Sequence, residues 1–165
     1  MAKRKILELK MLDNEIFYLL LVLGVVLVAY FGGSVTYPNL PWFASLQKPR
    51  DYPGGDIFGS VWTIMYGLII ISTFIAYIYA SPEVKKWIII VTLVALVLNF
   101  LWSYTFFSLR QINLGMVIIA AMIITAVATL WIFYQTDSYA YLILVPYLLW
   151  LFFAFYLNSK VSELN

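Results

Sequence analysis

Leu98-Asn99-Phe100-Leu101-Trp102-Ser103-Tyr104-Thr105-Phe106-Phe107-Ser108-Leu109-Arg110 sits in a segment with no charge between Lys86 and Arg110. An apolar run of this length reads as a helix inside a bilayer. On such a helix Asn99, Trp102, Ser103, Phe106 and Arg110 share a face, because their spacings are three or four. That face carries an amide, an indole, a hydroxyl and a phenyl ring, with a cation at its end. Lipid does not require such a mixture, so the face is expected to meet a neighbouring helix or a bound ligand.

Outward from this stretch the same logic repeats. The chain is 64% hydrophobic and 11% charged, and its charges cut it into five uncharged runs, 16–47, 57–82, 87–109, 111–136 and 138–159. Each exceeds the roughly 20 residues that a helix needs to cross ~30 Å of hydrocarbon. A water-soluble core would demand polar helix faces, which these runs lack. The expectation is an all-α integral membrane protein, one transmembrane domain over residues 1–165. Its five spans are placed at about 16–35, 57–80, 84–109, 113–134 and 139–158, with a long loop at 36–56.

Composition also excludes functions. A net charge of +2 does not suggest nucleic acid. With no cysteine and no histidine there is no thiolate nucleophile, no ordinary zinc site and no usual axial haem ligand. No metal site and no resident cofactor are expected. The spans hold no paired carboxylates, which argues against a pump or an ion-coupled transporter. The first run is too long for a cleavable signal peptide.

Residues 1–15 are polar and read as a frayed tail or an interfacial first turn. In the first span, Gly24, Gly32 and Gly33 permit close helix packing. The loop carries Pro38, Pro41, Pro49, Pro53, Gly54 and Gly55, which forbid an uninterrupted helix, although residues 42–47 allow a short one. Its length suits a lid, and its aromatics equally suit a headgroup anchor. Pro82 and Glu83 make a sound first turn for the third span. Ala121, Thr125 and Thr129 in the fourth form a small-residue stripe that suits a helix–helix contact, either inside the bundle or between subunits. Pro146 interrupts the hydrogen-bond ladder of the fifth. Trp87 and Trp131, near span ends, read as interfacial belts. Six basic residues on the N-terminal side against four on the other favour a cytoplasmic N-terminus.

Several motifs now stand in order: Pro-Trp-Phe-x-x-Leu-x-Lys-Pro at 41–49, Phe-Gly-Ser-Val-Trp-Thr-x-x-Tyr at 58–66, and Leu-Asn-Phe-Leu-Trp-Ser with Phe-Phe at 98–107. Val-Pro-Tyr-Leu-Leu-Trp at 145–150 and Tyr-Leu-Asn at 156–158 complete them. Over about residues 16–165 the chain resembles the tryptophan-rich sensory protein family, also called the translocator protein or peripheral-type benzodiazepine receptor family. The resemblance implies a five-helix membrane bundle, commonly a homodimer, that binds porphyrins, sterols or benzodiazepine-type ligands under the first loop. It places Trp42, Phe43 and Pro53 in the lid, Trp62 and Tyr66 on the second span, and Asn99 and Trp102 on the third. Trp150, Ala154 and Leu157 follow on the fifth. Phe58 shares the helical face of Trp62. Relatives often have Trp-Thr-Pro-Pro where this loop has Asp-Tyr-Pro-Gly at 51–54. After the last Leu-Asn, the cholesterol motif of animal members is replaced by Ser159 and Glu163, with Leu151, Tyr156 and Lys160 as a looser match.

The leading expectation is a membrane receptor for a flat hydrophobic ligand, a tetrapyrrole such as protoporphyrin IX, with membrane lipid as its other partner. Aromatic faces stack on a macrocycle, and Lys48 or Arg50 meets its propionates. Asn99 either orients the ligand or bonds a neighbouring helix. The alternatives are a light-dependent porphyrin-degrading enzyme, with Trp62 and Trp150 as redox partners by resemblance, or a lipid or metabolite transporter.

Overall fold

A computed structural model describes residues 2–50, 52–136 and 138–165. Asp51 of the loop and Asp137, one of the charges that delimit the runs, lie outside the described residues. Helices are the only regular elements among the described residues: α1 (Ala2–Thr36), a 3-10 turn (Tyr37–Asn39), α2 (Leu40–Ser45), α3 (Gly55–Tyr79), α4 (Pro82–Ser103), a π-helical turn (Tyr104–Ser108), α5 (Ile112–Tyr134) and α6 (Ala140–Leu164).

Helices α1, α3, α4, α5 and α6 are each long and apolar enough to cross a membrane. They close into a ring in the order α1, α3, α6, α5, α4, so that consecutive helices α3 and α4 face each other across the bundle. Large apolar side chains cover its outside, including Ile124 at 71% and Leu19 at 65% exposure. Such a surface is stable only in hydrocarbon. The protein is a multi-pass integral membrane protein, and lipid surrounds it.

Close approach sets the ring. A Cβ on Gly24 of α1 would lie 3.2 Å from Leu96 of α4, and one on Gly32 would lie 3.4 Å from Ser103. These glycines let two backbones meet where a larger residue would hold them apart. At the end away from the loop, Phe17 stacks on Tyr77 with centroids 3.6 Å apart, and Lys85 lies 4.2 Å above the Tyr77 ring and donates to Asn14 at 3.3 Å. Pro82 and Glu83 open α4 as expected, and the Ser81 hydroxyl accepts from the Val84 N–H at 3.4 Å.

The structure departs from the sequence expectations in three places. Residues 2–15 are not a separate turn but continue α1 in one helix. The short loop helix is Leu40–Ser45, starting two residues early because Pro41 suits a first turn. The helix that carries the opening stretch does not stay α-helical to residue 109. It widens at Tyr104–Ser108, where the Leu109 N–H reaches back to the Tyr104 carbonyl at 3.0 Å. Arg110 then leaves the helix with φ 56°, a conformation uncommon for a side-chain-bearing residue. On α5 the inward stripe is Gly115, Ile119, Met122, Ala126, Thr129 and Phe133, so Thr129 alone of the small-residue stripe faces the bundle interior. Ala121 and Thr125 are only half-buried, and the Thr125 hydroxyl bonds the Ala121 carbonyl at 2.9 Å within its own helix.

Candidate functional site

The aromatic residues singled out in the sequence come from three helices and the loop, and the ring order explains how they meet. α3 lies beside α6, with α4 opposite, so inward residues of all three converge under the loop. Trp62 of α3 lies 6.2 Å from Trp102 of α4 and 6.4 Å from Trp150 of α6, ring centre to ring centre. Trp150 meets Phe58 at 5.4 Å, and Phe58 stacks on Tyr52 of the loop at 5.5 Å. Tyr52 meets Phe43 at 5.7 Å, Phe43 meets Phe107 at 5.6 Å, and Phe107 meets Trp102 at 5.9 Å. Seven rings thus form a closed circuit, each touching the next at aromatic contact distance. Tyr66 joins from below through Trp62 at 5.6 Å.

The loop covers this circuit. Trp42, Phe43, Leu46 and Tyr52 pack on buried Phe106, Phe107 and Val161. The Trp42 ring is 5.8 Å from Phe106 and carries the Arg110 guanidinium 5.7 Å from its centre. The far end of the loop is tied to α6 by a reciprocal pair: the Gln47 N–H donates to Asn165 Oδ1, and Asn165 Nδ2 donates to the Gln47 carbonyl, both at 3.0 Å. Burial pushes the Tyr52 phenol above its ordinary pKa, so it stays a neutral ring in the neutral pH range.

Beneath the rings lies a polar floor. Asn99 is buried; its Nδ2 donates to the Ala95 carbonyl at 2.8 Å and to the Tyr147 hydroxyl of α6 at 3.0 Å. The helix-bonding alternative for Asn99 is therefore present. Its Oδ1 has no hydrogen-bond partner among the described residues, nor has the buried indole Nε1 of Trp150. One acceptor and one donor thus remain unsatisfied beside the aromatic circuit. Buried polar groups of this kind are costly unless something bonds them.

Of the residues named from sequence, Trp42, Phe43, Phe58, Trp62, Tyr66, Trp102 and Trp150 fall into one connected set of ring contacts. Pro53 is half-buried in the loop, and Ala154 and Leu157 are buried on the inward face of α6 without a ring to stack. Lys48 lies at the rim of the circuit. The Lys48 ammonium turns back onto the carbonyls of Phe43, Ala44 and Leu46 and lies 4.4 Å above the Phe43 ring. It caps the C-terminal end of α2, a favourable place for a cation, and partial burial lowers its pKa. Arg50 is exposed.

Sequence reading missed Tyr52, Phe107 and Asn158 as site residues. Asn158 is buried, accepts from the Trp102 indole at 3.4 Å and donates to the Ile112 carbonyl at 2.9 Å, so it joins α6 to α4 and α5. Its place in the Tyr-Leu-Asn motif was the available signal. Gly115 makes room for it, since a Cβ there would lie 3.2 Å from Asn158 Oδ1 and 3.3 Å from Phe106.

Comparison with known proteins agrees with this architecture. The model of the TspO/MBR family matches residues 18–164. A tryptophan-rich protein TspO of Archaeoglobus fulgidus is 35% identical over 87% of this chain and 94% of its own length. Its namesake in Chlorobaculum tepidum is 33% identical over 93% and 99% respectively. The translocator protein of Homo sapiens is 31% identical over 77% and 76%. With a match across nearly the whole bundle, the chain belongs to the TspO/MBR family.

Proposed function

We propose that this membrane protein is a receptor for a flat, hydrophobic ligand of the tetrapyrrole class, with protoporphyrin IX as its representative. The observation that carries the reading is the closed circuit of aromatic rings from the loop, α3, the end of α4 and α6. Stacking on several rings suits a planar macrocycle, each aromatic contact adding about 0.5–1.5 kcal/mol beyond area burial. Two of the seven rings, Phe43 and Tyr52, belong to the loop, so displacing the loop opens the circuit from the membrane surface. Gly54, directly before α3, is the hinge for that movement; a side chain there would meet nothing within 4 Å. The free Asn99 Oδ1 and Trp150 Nε1 then orient polar edges of the ligand. With Lys48 bonded to the carbonyls of Phe43, Ala44 and Leu46, the ligand's carboxylates fall to Arg50, which is exposed, and to Arg110, whose guanidinium already borders the loop.

Titration of the purified protein with protoporphyrin IX, followed by absorbance and tryptophan fluorescence in darkness and in light, tests the reading. Saturable binding in the dark is expected, weakened by W62A, W102A or W150A and unaffected by W87A or W131A, whose rings are 55% and 67% exposed toward lipid. Equal losses at all five positions, or no saturable binding, refute it. Light-dependent loss of the porphyrin spectrum identifies turnover, and flux into sealed vesicles identifies transport.

A further inference from the structure

Residues of α3, α4, α5 and α6 line a cavity of about 20 Å³. Each helix contributes one hydroxyl to its wall, from Thr73, Thr92, Thr129 and Tyr147, and the rest of the lining is aliphatic. The Thr92 side chain is the unusual member. It is only 7% exposed, and its hydroxyl has no hydrogen-bond partner among the described residues. A buried threonine on a helix ordinarily donates to the carbonyl four residues back. Buried Thr129 and half-buried Thr125 do so here, to the carbonyls of Thr125 and Ala121 at 2.8 and 2.9 Å. Thr92 does not.

Tyr147 adds a second free proton. Its oxygen accepts from Asn99 Nδ2 at 3.0 Å, so its own O–H must point elsewhere, and the cavity is the space its side chain borders. The Thr129 hydroxyl has given its proton to a carbonyl and keeps lone pairs for another donor. Two donors and at least one acceptor thus meet in a space slightly larger than the roughly 10–15 Å³ that one water needs.

We infer that this cavity is a binding site for a single ordered water. The water accepts from Thr92 and Tyr147 and donates to Thr129, joining α4, α5 and α6 in the interior of the membrane. The other candidate contents do not suit the wall. A hydrocarbon group that fits the space leaves both donors unpaired, and a metal ion finds no carboxylate, imidazole or thiolate among the lining residues. The water also has a role toward the floor of the aromatic site. By taking the Tyr147 proton, it leaves the phenol oxygen to Asn99 Nδ2, which fixes the amide with Oδ1 unpartnered.

The inference is tested without any porphyrin, so it stands or falls apart from the ligand. Synchrotron radiolysis of the purified protein generates hydroxyl radicals from bound water, and mass spectrometry locates the oxidised side chains. Tyr147, 3% exposed, should be labelled well above Phe133, which is 0% exposed and borders no such cavity among those described. T92V removes one partner without changing shape and should lower the Tyr147 label toward the Phe133 level. T125V, which removes a hydroxyl satisfied within its own helix, should leave the label intact. A crystal structure of the unsubstituted protein should show a density peak within hydrogen-bond reach of both Thr92 Oγ1 and the Tyr147 hydroxyl. That experiment decides the matter even if T92V fails to fold. A Tyr147 label no higher than that of Phe133, an empty cavity, or an unchanged label in folded T92V overturns the inference.

Discussion

Replacing Asn158 by alanine tests how the bundle holds Trp102 in place. The Asn158 amide is buried and makes two bonds to other helices: one at 2.9 Å to the Ile112 carbonyl and one at 3.4 Å from the Trp102 indole. Interhelical hydrogen bonds in membrane proteins average about 0.6 kcal/mol, with a ceiling near about 1.7. The short bond belongs in the upper part of that range and the long one in the lower part, for about 1.5 kcal/mol together. Truncation also opens a void against Gly115 and Phe106, which adds about 1 kcal/mol. N158A should therefore destabilise the protein by about 2–3 kcal/mol. Reversible unfolding in mixed detergent micelles, followed by far-ultraviolet circular dichroism, measures the loss. W102F removes only the indole N–H, and the cycle with N158A should give a coupling of about 0.5 kcal/mol, as befits a 3.4 Å bond. A loss below about 0.5 kcal/mol for N158A, less than one average interhelical bond, would show that the amide is no strut between helices.

Three further outcomes are expected. G115A places a methyl group 3.2 Å from Asn158 Oδ1 and 3.3 Å from Phe106, and it should cost about 1–2 kcal/mol in the same unfolding assay, sub-additively with N158A because both act on one amide. Gly54 has φ −58°, which proline adopts without strain, so G54P should fold yet slow porphyrin association and dissociation together in stopped-flow fluorescence; unchanged rates would make the loop a headgroup anchor rather than a lid. Haem should bind no more tightly than protoporphyrin IX and should show no protein-derived axial ligation, because histidine and cysteine do not occur and the Tyr147 oxygen is engaged by Asn99. A six-coordinate low-spin spectrum, lost on changing Tyr66, Met65 or Tyr147, would contradict that.

What the chain disclosed in advance follows from what its charges mark. Glu15, Lys48, Asp56, Glu83, Lys86, Arg110, Asp137 and Lys160 delimit the apolar runs, and each run contains one membrane-crossing helix. Charge marks where hydrocarbon ends, not where a helix ends. That is why α1 continues back to Ala2 and α6 onward to Leu164 through polar residues. The tryptophans were legible because indoles at helical spacing inside lipid demand an explanation. Phe107 was not, since a phenyl ring suits lipid as well as it suits a core. The π-helical turn at Tyr104–Ser108 carries no compositional mark; it is settled by how the end of α4 packs under the loop. The contacts of Lys48 were not legible, because its partners are the backbone carbonyls of Phe43, Ala44 and Leu46, which sequence does not display as acceptors.

The order of the ring bears on how the protein is made. Helices emerge and enter the bilayer from the N-terminus onward, so α1, α3 and α4 are in place before α6 exists. Until then α3 lacks its main neighbour, and Trp62 and Trp102 stand without Trp150. The Asn99 amide waits for Tyr147, and the Trp102 indole waits for Asn158; both partners are carried by α6. The loop, synthesised early, gains its tie to Asn165 only once the whole of α6 has been made. The site therefore comes into being in a single closing step, after the other four spans have been inserted. A nascent chain stalled before α6 would hold most of the aromatic side chains and none of the enclosure.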